Sequence, residues 1–250
     1  MSTAEERTCS STGLRLLRVN QELGFHVAKA EYDPYSAATR TPDSHRDEWG
    51  RYDTLGQTFY VAETRECAYA EVLSPFKRRN GEIDTLVPIA ASLGITVEEL
   101  ADDIEEQWGE PAFQGAGTLP PSWREQRGIY QVLIDSPKWF VHIEHADSIA
   151  ALETGLERFL ASQGVASLNT SVLRSENRYV TTTLADPVRA AVLDDGTTPR
   201  GIHFGSKHGG AWCKAIWNAS EAMTVAGPSF IKFDDPAFQT AASWMHLHAL

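Results

Sequence analysis

A strand pattern is followed almost at once by a helix pattern in the first third of the chain. The segment Gln57–Ala62 (QTFYVA) is rich in the aromatic and β-branched residues that favour strands. Thr64 then stands at a typical helix N-cap position, and the run after it predicts a helix over Arg65–Leu73. Strand and helix patterns alternate irregularly along the rest of the chain, without the βαβ order of a doubly wound sheet. The mixture predicts an α+β fold.

Capping and composition signals predict several further elements. The segment Leu14–Val19 has the composition of a first strand, and residues 33–56 have that of a long polar loop. A capping box begins a predicted helix over Thr96–Trp108. A second helix is predicted over Asp147–Gly164 from its aspartate cap, its apolar face and its terminal glycine. The pair Asp186-Pro187 predicts the first turn of another helix.

Length and charge restrict the classes of protein to which the chain can belong. Its 250 residues fit one large domain, and we expect a single domain over residues 1–250. The formal net charge is −12, and the longest basic run is Lys77-Arg78-Arg79. Binding to duplex nucleic acid depends on many phosphate contacts from Lys and Arg, so we expect no direct nucleic-acid partner. Acidity does not exclude a small anionic ligand, because one or two arginines suffice for a pyrophosphate.

The distribution of apolar residues and cysteines predicts a cytoplasmic protein. No stretch approaches the roughly 20 apolar residues that span a bilayer, and Met1–Ser11 lacks the apolar segment of a secretory signal. The three cysteines are odd in number and widely spaced, which indicates neither a disulfide framework nor a zinc site. The pairs His142/His145 and His246/His248 lack a third ligand at metal spacing, so we expect no metal. The motifs GxGxxG and GxxxxGK(S/T) are absent.

Two groups of polar residues are candidates for a functional site. Arg51 lies at the mouth of the long loop, just before the predicted strand, Tyr60 lies within that strand, and Glu71 lies late in the predicted helix among apolar neighbours. Each also has a structural interpretation, as a surface arginine, a core tyrosine with a satisfied hydroxyl, and a carboxylate facing water respectively. The second group is the segment Gly201–Gly210 (GIHFGSKHGG), in which a short strand leads into a polar turn.

The polar turn in Gly201–Gly210 leaves three interpretations open. It is not a GxSxG elbow, because residues 204–208 are FGSKH. Ser206 and His208 could still serve a hydrolase, although no acid-bearing motif accompanies them. The turn could equally be a hairpin with a polar tip.

Four segments, in order, resemble the RES domain family. RYDTLGQTFYVAETRECAYAEVL, from Arg51, resembles the family's central motif, with an arginine near a glycine turn, a strand tyrosine and a helix glutamate. GIHFGSKHGG with the following AWCKAIW resembles its serine-bearing segment and next strand. SENRYVTTTLA resembles a stretch with arginine and threonine three residues apart, and the strand bearing Arg18 resembles the family's opening strand. The resemblance covers about residues 14–217.

The resemblance implies an ADP-ribosyltransferase-like split β-structure with flanking helices, a core over about 14–217 and a helical insertion over about 75–123. It further implies an enzyme that consumes NAD as its substrate, without a separate cofactor, by cleaving the nicotinamide–ribose bond through hydrolysis or phosphorolysis. RES proteins are typically toxins neutralised by an antitoxin protein. Some members transfer ADP-ribose to a protein, which is the alternative activity. A further alternative is a non-enzymatic binding module.

The family's arginine, tyrosine, glutamate and serine correspond to Arg51, Tyr60, Glu71 and Ser206. Arginine suits a pyrophosphate, tyrosine the flat nicotinamide cation, and a carboxylate the ribose as it gains positive charge. Ser206 is expected to bind the nicotinamide ribose or Glu71. Three further residues are candidates for binding NAD: Arg18 as a helper for the pyrophosphate, and Lys207 and His208, which stand where arginine is common in the family and are available to bind inorganic phosphate. The chain departs from the family also at Asn169, where aspartate is common.

Overall fold

The computed structural model describes residues 5–18, 20–33, 35–78, 86–135, 137–221 and 223–250. The chain divides into two compact units. The first comprises Met1–Gly24, Tyr35–Glu63 and Val132–Val225, and the second comprises Phe25–Pro34, Thr64–Gln131 and Ala226–Leu250. The expected single domain, with its core and its insertion, stays a prediction. Residues 79–85 of that insertion lie outside the described residues.

Strands and helices alternate irregularly along the described residues. The strands are β1 (Glu5–Thr8), β2 (Arg15–Arg18), β3 (Glu22–Lys29), β4 (Thr58–Ala62), β5 (Thr118–Leu119), β6 (Arg127–Ile134), β7 (Phe140–His142), β8 (Gly201–Gly205), β9 (Trp212–Trp217), β10 (Met223–Phe230) and β11 (His248–Ala249). The helices are α1 (Arg65–Leu73), α2 (Leu86–Leu93), α3 (Val97–Trp108), α4 (Pro121–Glu125), α5 (Ala146–Gly155), α6 (Glu157–Ser162), α7 (Thr170–Leu173), α8 (Arg178–Ala190) and α9 (Pro236–Trp244). None of the helices in these ranges is both long and apolar enough to cross a bilayer.

The first unit is built on a mixed sheet with the strand order β1-β2-β7-β8-β9-β4-β3-β6-β10. Strands β3, β6 and β10 contribute residues 22–24, 132–134 and 223–225 to this unit. The pairs β1–β2, β2–β7, β8–β9 and β9–β4 are antiparallel, and β7–β8 is parallel. A nine-stranded sheet combined with helices confirms the predicted α+β class.

The core of the first unit lies on one face of this sheet. Side chains alternate along β4, so Phe59 and Val61 face the core while Tyr60 faces the opposite side. The register places Tyr60 beside Ala215 of β9, and Ala215 beside Ile202 of β8. The other residues of this apolar cluster are Val132, Ile134, Phe140, Ile216 and Met223.

A buried cation interrupts the apolar face of the sheet. The side chain of Lys214 in β9 is fully buried, forms an ion pair with Glu22, and places Nζ 3.6 Å from the centre of the Trp212 ring. Burial lowers the pKa of Lys214, and Glu22 opposes this shift. His203 lies directly opposite Lys214 in the register. Burial, with the charges of Lys214 and His142, lowers the pKa of His203 to about 2, so its imidazole is neutral at physiological pH.

The outermost strand on one side of this sheet is β1. Its Glu5 forms an ion pair with Arg18, and its Glu6 lies 2.8 Å from Arg15. The segment that follows β1 is held by Asp194, whose carboxylate accepts hydrogen bonds of 2.9 Å from the backbone nitrogens of residues 10 and 11. These contacts fix the start of the first unit to a distant part of its sequence.

The second unit packs α1 against α9. Tyr69 of α1 contacts Phe238 of α9 edge-to-face at 5.7 Å, and Trp123 stacks on Phe238 at 6.2 Å. Asp235, which caps α9, accepts hydrogen bonds from the Tyr69 hydroxyl (2.9 Å) and from Arg65 (2.5 Å). Aromatic packing and a shared carboxylate therefore join the two helices.

Local capping signals predicted the starts of α1 and α3. The Thr64 side chain accepts a hydrogen bond from the backbone nitrogen of Cys67, which confirms the cap of α1. The capping box of Thr96 and Glu99 is formed at the start of α3. The strand predicted over Leu14–Val19 is present as β2, and Val19 lies outside the described residues.

Two helix predictions need correction. The helix predicted over Asp147–Gly164 begins one residue earlier, after a His145 cap, and is interrupted at Leu156 between α5 and α6. The pair Asp186-Pro187 does not begin a helix but lies near the end of α8, which is capped by Asn177. The buried residues of α8, including Val180, Leu184 and Val188, carry the helix past the proline, because tertiary packing outweighs a local breaker.

Candidate active site

Asp53 organises the end of the long loop in the first unit. Its Oδ2 accepts hydrogen bonds of 2.8 Å from Arg40 Nε and from the backbone nitrogen of Gly50. Its Oδ1 accepts a bond of 2.8 Å from the Tyr60 hydroxyl, which itself accepts one of 2.9 Å from the backbone nitrogen of Tyr52. A Cβ at position 50 would lie 2.6 Å from the Tyr60 hydroxyl, so only glycine fits there. The loop is therefore fixed on both sides of position 51.

Tyr60 is committed to this network through its hydroxyl. Burial, followed by the Asp53 charge, raises the pKa of Tyr60 well above its ordinary value, so the hydroxyl stays protonated and donates to Asp53. Its ring meets Phe204 edge-on at 6.5 Å. The structure thus gives Tyr60 a role in holding the loop, and its stacking on a nicotinamide ring stays a prediction.

Arg51 is a buried cation whose hydrogen-bonding capacity is largely unused. Its residue surface is 6% exposed, and neither Nε nor Nη1 has a hydrogen-bond partner among the described residues. The guanidinium carbon lies 5.6 Å from the centre of the Phe204 ring. Buried donors without acceptors cost about 1–3 kcal/mol each, and more when charged. Such a guanidinium fits an anionic ligand, above all a phosphate or pyrophosphate, whose oxygens match its planar fork.

The ring of Phe204 is held from a second direction. Tyr52 meets it edge-on at 4.8 Å and donates a hydrogen bond of 3.0 Å to the carbonyl of Leu173, at the end of α7. Burial raises the pKa of Tyr52 far above its ordinary value, and the neighbouring Arg51 charge opposes the shift. The platform beneath Arg51 is therefore a fixed aromatic pair.

Ser206 begins a tight turn directly after β8. It is 2% exposed, its backbone nitrogen donates to the Ala211 carbonyl at 2.9 Å, and its Oγ accepts a bond of 3.0 Å from the backbone nitrogen of His208. Lys207 forms an ion pair with Glu176. Ser206 stands two residues after Phe204 in the sequence, and Phe204 is the residue whose ring the Arg51 guanidinium approaches.

The residue before Ser206 is held by an ion pair that the sequence did not reveal. Glu144 accepts bonds from Arg174 at 2.7 Å (Nε) and 2.6 Å (Nη2), and its Oε2 also accepts one of 3.2 Å from the backbone nitrogen of Gly205. A Cβ at position 205 would lie 2.2 Å from Arg174 Nη2, so a larger residue there would displace the end of the arginine from this ion pair. Glu144 therefore links the β8 end, and with it Ser206, to the residue that follows α7.

The structure does not bring Arg18 to the side chains around Arg51. Arg18 lies on β2, forms an ion pair with Glu5 and stacks on Trp139 with its guanidinium carbon 4.6 Å from the ring centre. Strands β7, β8 and β9 stand between β2 and β4 in the sheet. Its predicted help with a pyrophosphate gains no support from this position.

Glu71 belongs to the second unit, whereas Arg51, Tyr60, Ser206, Lys207 and His208 belong to the first. It is half-buried in the last turn of α1, and its backbone carbonyl accepts a hydrogen bond of 3.1 Å from Ser74 Oγ. The role of Glu71 stays a prediction from the sequence.

Comparison with known proteins does not assign the chain to a family. No protein-family model matches it, and no curated protein matches its sequence. Among solved structures, it aligns with the crystal structure of the M. tuberculosis MbcT–MbcA toxin–antitoxin complex, with a TM-score of 0.46 and 9% identity over 91% of this chain and 88% of that chain. A similarity at this level assigns neither a family nor an activity, so membership of the RES family stays a prediction.

Proposed function

We propose that the protein binds NAD and cleaves its nicotinamide–ribose bond. The observation that carries the proposal is Arg51, a buried guanidinium in the segment that resembles the RES motif, with two nitrogens that have no hydrogen-bond partner among the described residues. The pyrophosphate of NAD supplies anionic oxygens in the spacing that a guanidinium fork accepts. Ser206, which is buried and stands two residues after Phe204 in the sequence, is proposed to supply a hydroxyl for a ribose oxygen of the same substrate.

The reaction breaks the bond between the ribose C1′ and the nicotinamide nitrogen. Nicotinamide leaves as a neutral molecule with the bonding electron pair, and the ribose gains oxocarbenium character. Attack by water gives ADP-ribose and a proton, whereas attack by inorganic phosphate gives the ADP-ribose 1″-phosphate. A carboxylate close to C1′ stabilises the positive charge and orients the attacking group, and this is the proposed role of Glu71.

The test is nicotinamide release from NAD by the purified full chain, with and without inorganic phosphate. We expect release by the parent protein and loss of release in the Glu71→Gln variant, while Arg51→Met mainly weakens NAD binding. Phosphate dependence separates phosphorolysis from hydrolysis. Release at the parent rate by both variants would refute these assignments. Absence of release in all samples, with labelled ADP-ribose appearing on protein in a lysate, would replace the proposal by protein ADP-ribosylation.

The resemblance to RES proteins extends the proposal to a bacterial toxin held inactive by an antitoxin. An NAD-consuming enzyme depletes a metabolite that every cell needs, so its activity requires a restraint. Expression of the chain in bacteria is expected to lower cellular NAD and arrest growth, and Glu71→Gln is expected to relieve both. Growth arrest with unchanged NAD would separate toxicity from the proposed reaction.

A further inference from the structure

A cavity of about 650 Å³ lies in the first unit between the long loop and the end of α8. Arg51, Tyr60 and Ser206 are not among the residues that line this cavity. Its lining includes Arg46, Trp49, Thr54, Leu55, Asp186 and Arg189. Its volume is within the range of about 300–1,000 Å³ typical of sites for small organic ligands.

The charge of the cavity is positive in a strongly acidic chain. Two guanidinium groups, Arg46 and Arg189, face one carboxylate, Asp186. Arg46 lies 3.6 Å from Asp186 and also bonds to Thr182 at 2.5 Å. Burial raises the pKa of Asp186, and the Arg46 charge opposes the shift.

Arg189 has no carboxylate within ion-pair distance among the described residues. Its Nη1 donates to two neutral acceptors at 2.5 Å, Thr54 Oγ1 and the Leu55 carbonyl, and its guanidinium lies 5.7 Å from the centre of the Trp217 ring. Arg189 lies in the last turn of α8, where the helix dipole favours a cation whether or not the side chain is buried. Burial lowers the pKa of Arg189, which is the cost of desolvating a charge without a full counter-charge.

Trp49 adds a donor without an acceptor. It is 4% exposed, and its Nε1 has no hydrogen-bond partner in the part of the chain that the structure describes. The ring lies 5.0 Å from the Arg46 guanidinium carbon. The two guanidinium groups at the cavity are donors only, which selects a ligand that accepts hydrogen bonds and carries negative charge.

We propose that this cavity binds a small organic oxyanion, with its charged group at Arg189 and Arg46 and an apolar portion against Leu55. Phosphate monoesters and carboxylates share this chemistry. Leu55 is 52% exposed at the cavity, which gives the apolar portion a surface to cover. The ligand makes up the counter-charge that Arg189 lacks, and it is distinct from the pyrophosphate assigned to Arg51.

The full chain is titrated separately with phenyl phosphate, benzoate and uncharged benzyl alcohol. Binding is measured by calorimetry and by the shift of the Trp49 indole N–H signal in an NMR spectrum. Trp49→Phe assigns that signal. We expect at least one anion to bind with a dissociation constant below about 1 mM and to shift the Trp49 signal, and benzyl alcohol to do neither. Comparison of the two anions distinguishes a phosphate from a carboxylate ligand.

Variants locate the binding. Arg189→Gln is expected to weaken the anion about tenfold or more, the value of a charge-assisted hydrogen bond. Leu55→Asp, at an exposed position that tolerates the change, is expected to do the same by repulsion. Arg158→Gln, at an exposed position on α6, and Arg51→Met are expected to retain binding. Unchanged affinity in Arg189→Gln and Leu55→Asp, loss of binding only in Arg51→Met, or no binding by either anion would overturn the proposal.

Discussion

Replacement of Arg51 by methionine is expected to stabilise the protein without ligand and to weaken NAD binding. Methionine keeps an unbranched apolar stem against Phe204 and removes two buried nitrogens that have no acceptor in the described part of the chain. Each unsatisfied buried donor costs about 1–3 kcal/mol, while the lost cation–π contact contributes about 0.5–2 kcal/mol. At about 2 kcal/mol for each of the two donors, less about 1 kcal/mol for the cation–π contact, the free energy of unfolding should rise by about 3 kcal/mol. Each kcal/mol corresponds to about 2–4 °C in Tm for a chain of this size.

The same substitution removes the fork that is proposed to bind the pyrophosphate. A hydrogen bond to a charged group is worth about 1.5–3 kcal/mol, so the Kd for NAD should rise about tenfold to a hundredfold. Thermal unfolding without ligand and calorimetric titration with NAD measure the two effects. Arg158→Met, an exposed arginine in α6, is the matched control and should change neither quantity.

A rise in the free energy of unfolding together with a loss of NAD affinity would indicate that Arg51 serves the ligand and not the fold. A structural arginine would behave differently, because its loss would lower Tm. If Arg51→Met lowers Tm and leaves the NAD affinity at the parent value, Arg51 holds the fold and the proposed NAD site loses its main support.

Three further perturbations test other parts of the structure. Glu71→Gln should lower the rate of nicotinamide release about a hundredfold or more while NAD affinity stays near that of the parent, as measured by initial rates and calorimetry. Glu144→Gln should lower the free energy of unfolding, measured in urea, by about 1 kcal/mol, a value reduced because its partner Arg174 is partly exposed. The same substitution should lower kcat in the parent but not in a Ser206→Ala background. An equal fall in kcat in both backgrounds would show that Glu144 has a purely structural role. The imidazole of His203 gains a proton near pH 6.5 in the unfolded chain but only near pH 2 in the folded protein. Its contribution to the free energy of unfolding is therefore complete above pH 6.5 and falls by about 1.4 kcal/mol per pH unit below it, or about 2.7 kcal/mol by pH 4.5. Urea titrations at both ends of this range should show that loss in the parent and its absence in His203→Gln; identical pH dependence would mean that His203 is protonated in the folded state.

Elements whose signals are local could be predicted from the sequence. The N-cap of α1 and the capping box of α3 act over three residues, and both are formed as the sequence indicated. The strand β4 followed from its composition, and its two faces from the alternation of its side chains. Arg51, Tyr60 and Ser206 were identified from the motif, and the structure shows each of them buried or half-buried.

Features that depend on distant contacts could not be predicted. Glu144 and Arg174 are thirty residues apart, and nothing in their local sequence marks them as a pair. Pro187 has the local signal of a helix start, yet packing of the α8 face places it near the helix end. The Asp53 network has a weak signal in the turn-forming spacing from Gly50, but its third member, Tyr60, comes from another element.

The position of β1 has a consequence for solubility. A strand at the rim of a sheet presents unpaired backbone groups, and proteins protect such rims with charges and with short strands. Strand β1 has only four residues, three of them charged, so it pairs poorly with a strand of another molecule. The neighbouring strand β2 carries the buried Leu16 and Leu17. Deletion of β1 would expose the hydrogen-bonding groups of β2 beside these two leucines, and the shortened protein should aggregate through that edge. Light scattering of the protein lacking residues 1–8 would measure how much of its colloidal stability depends on this strand.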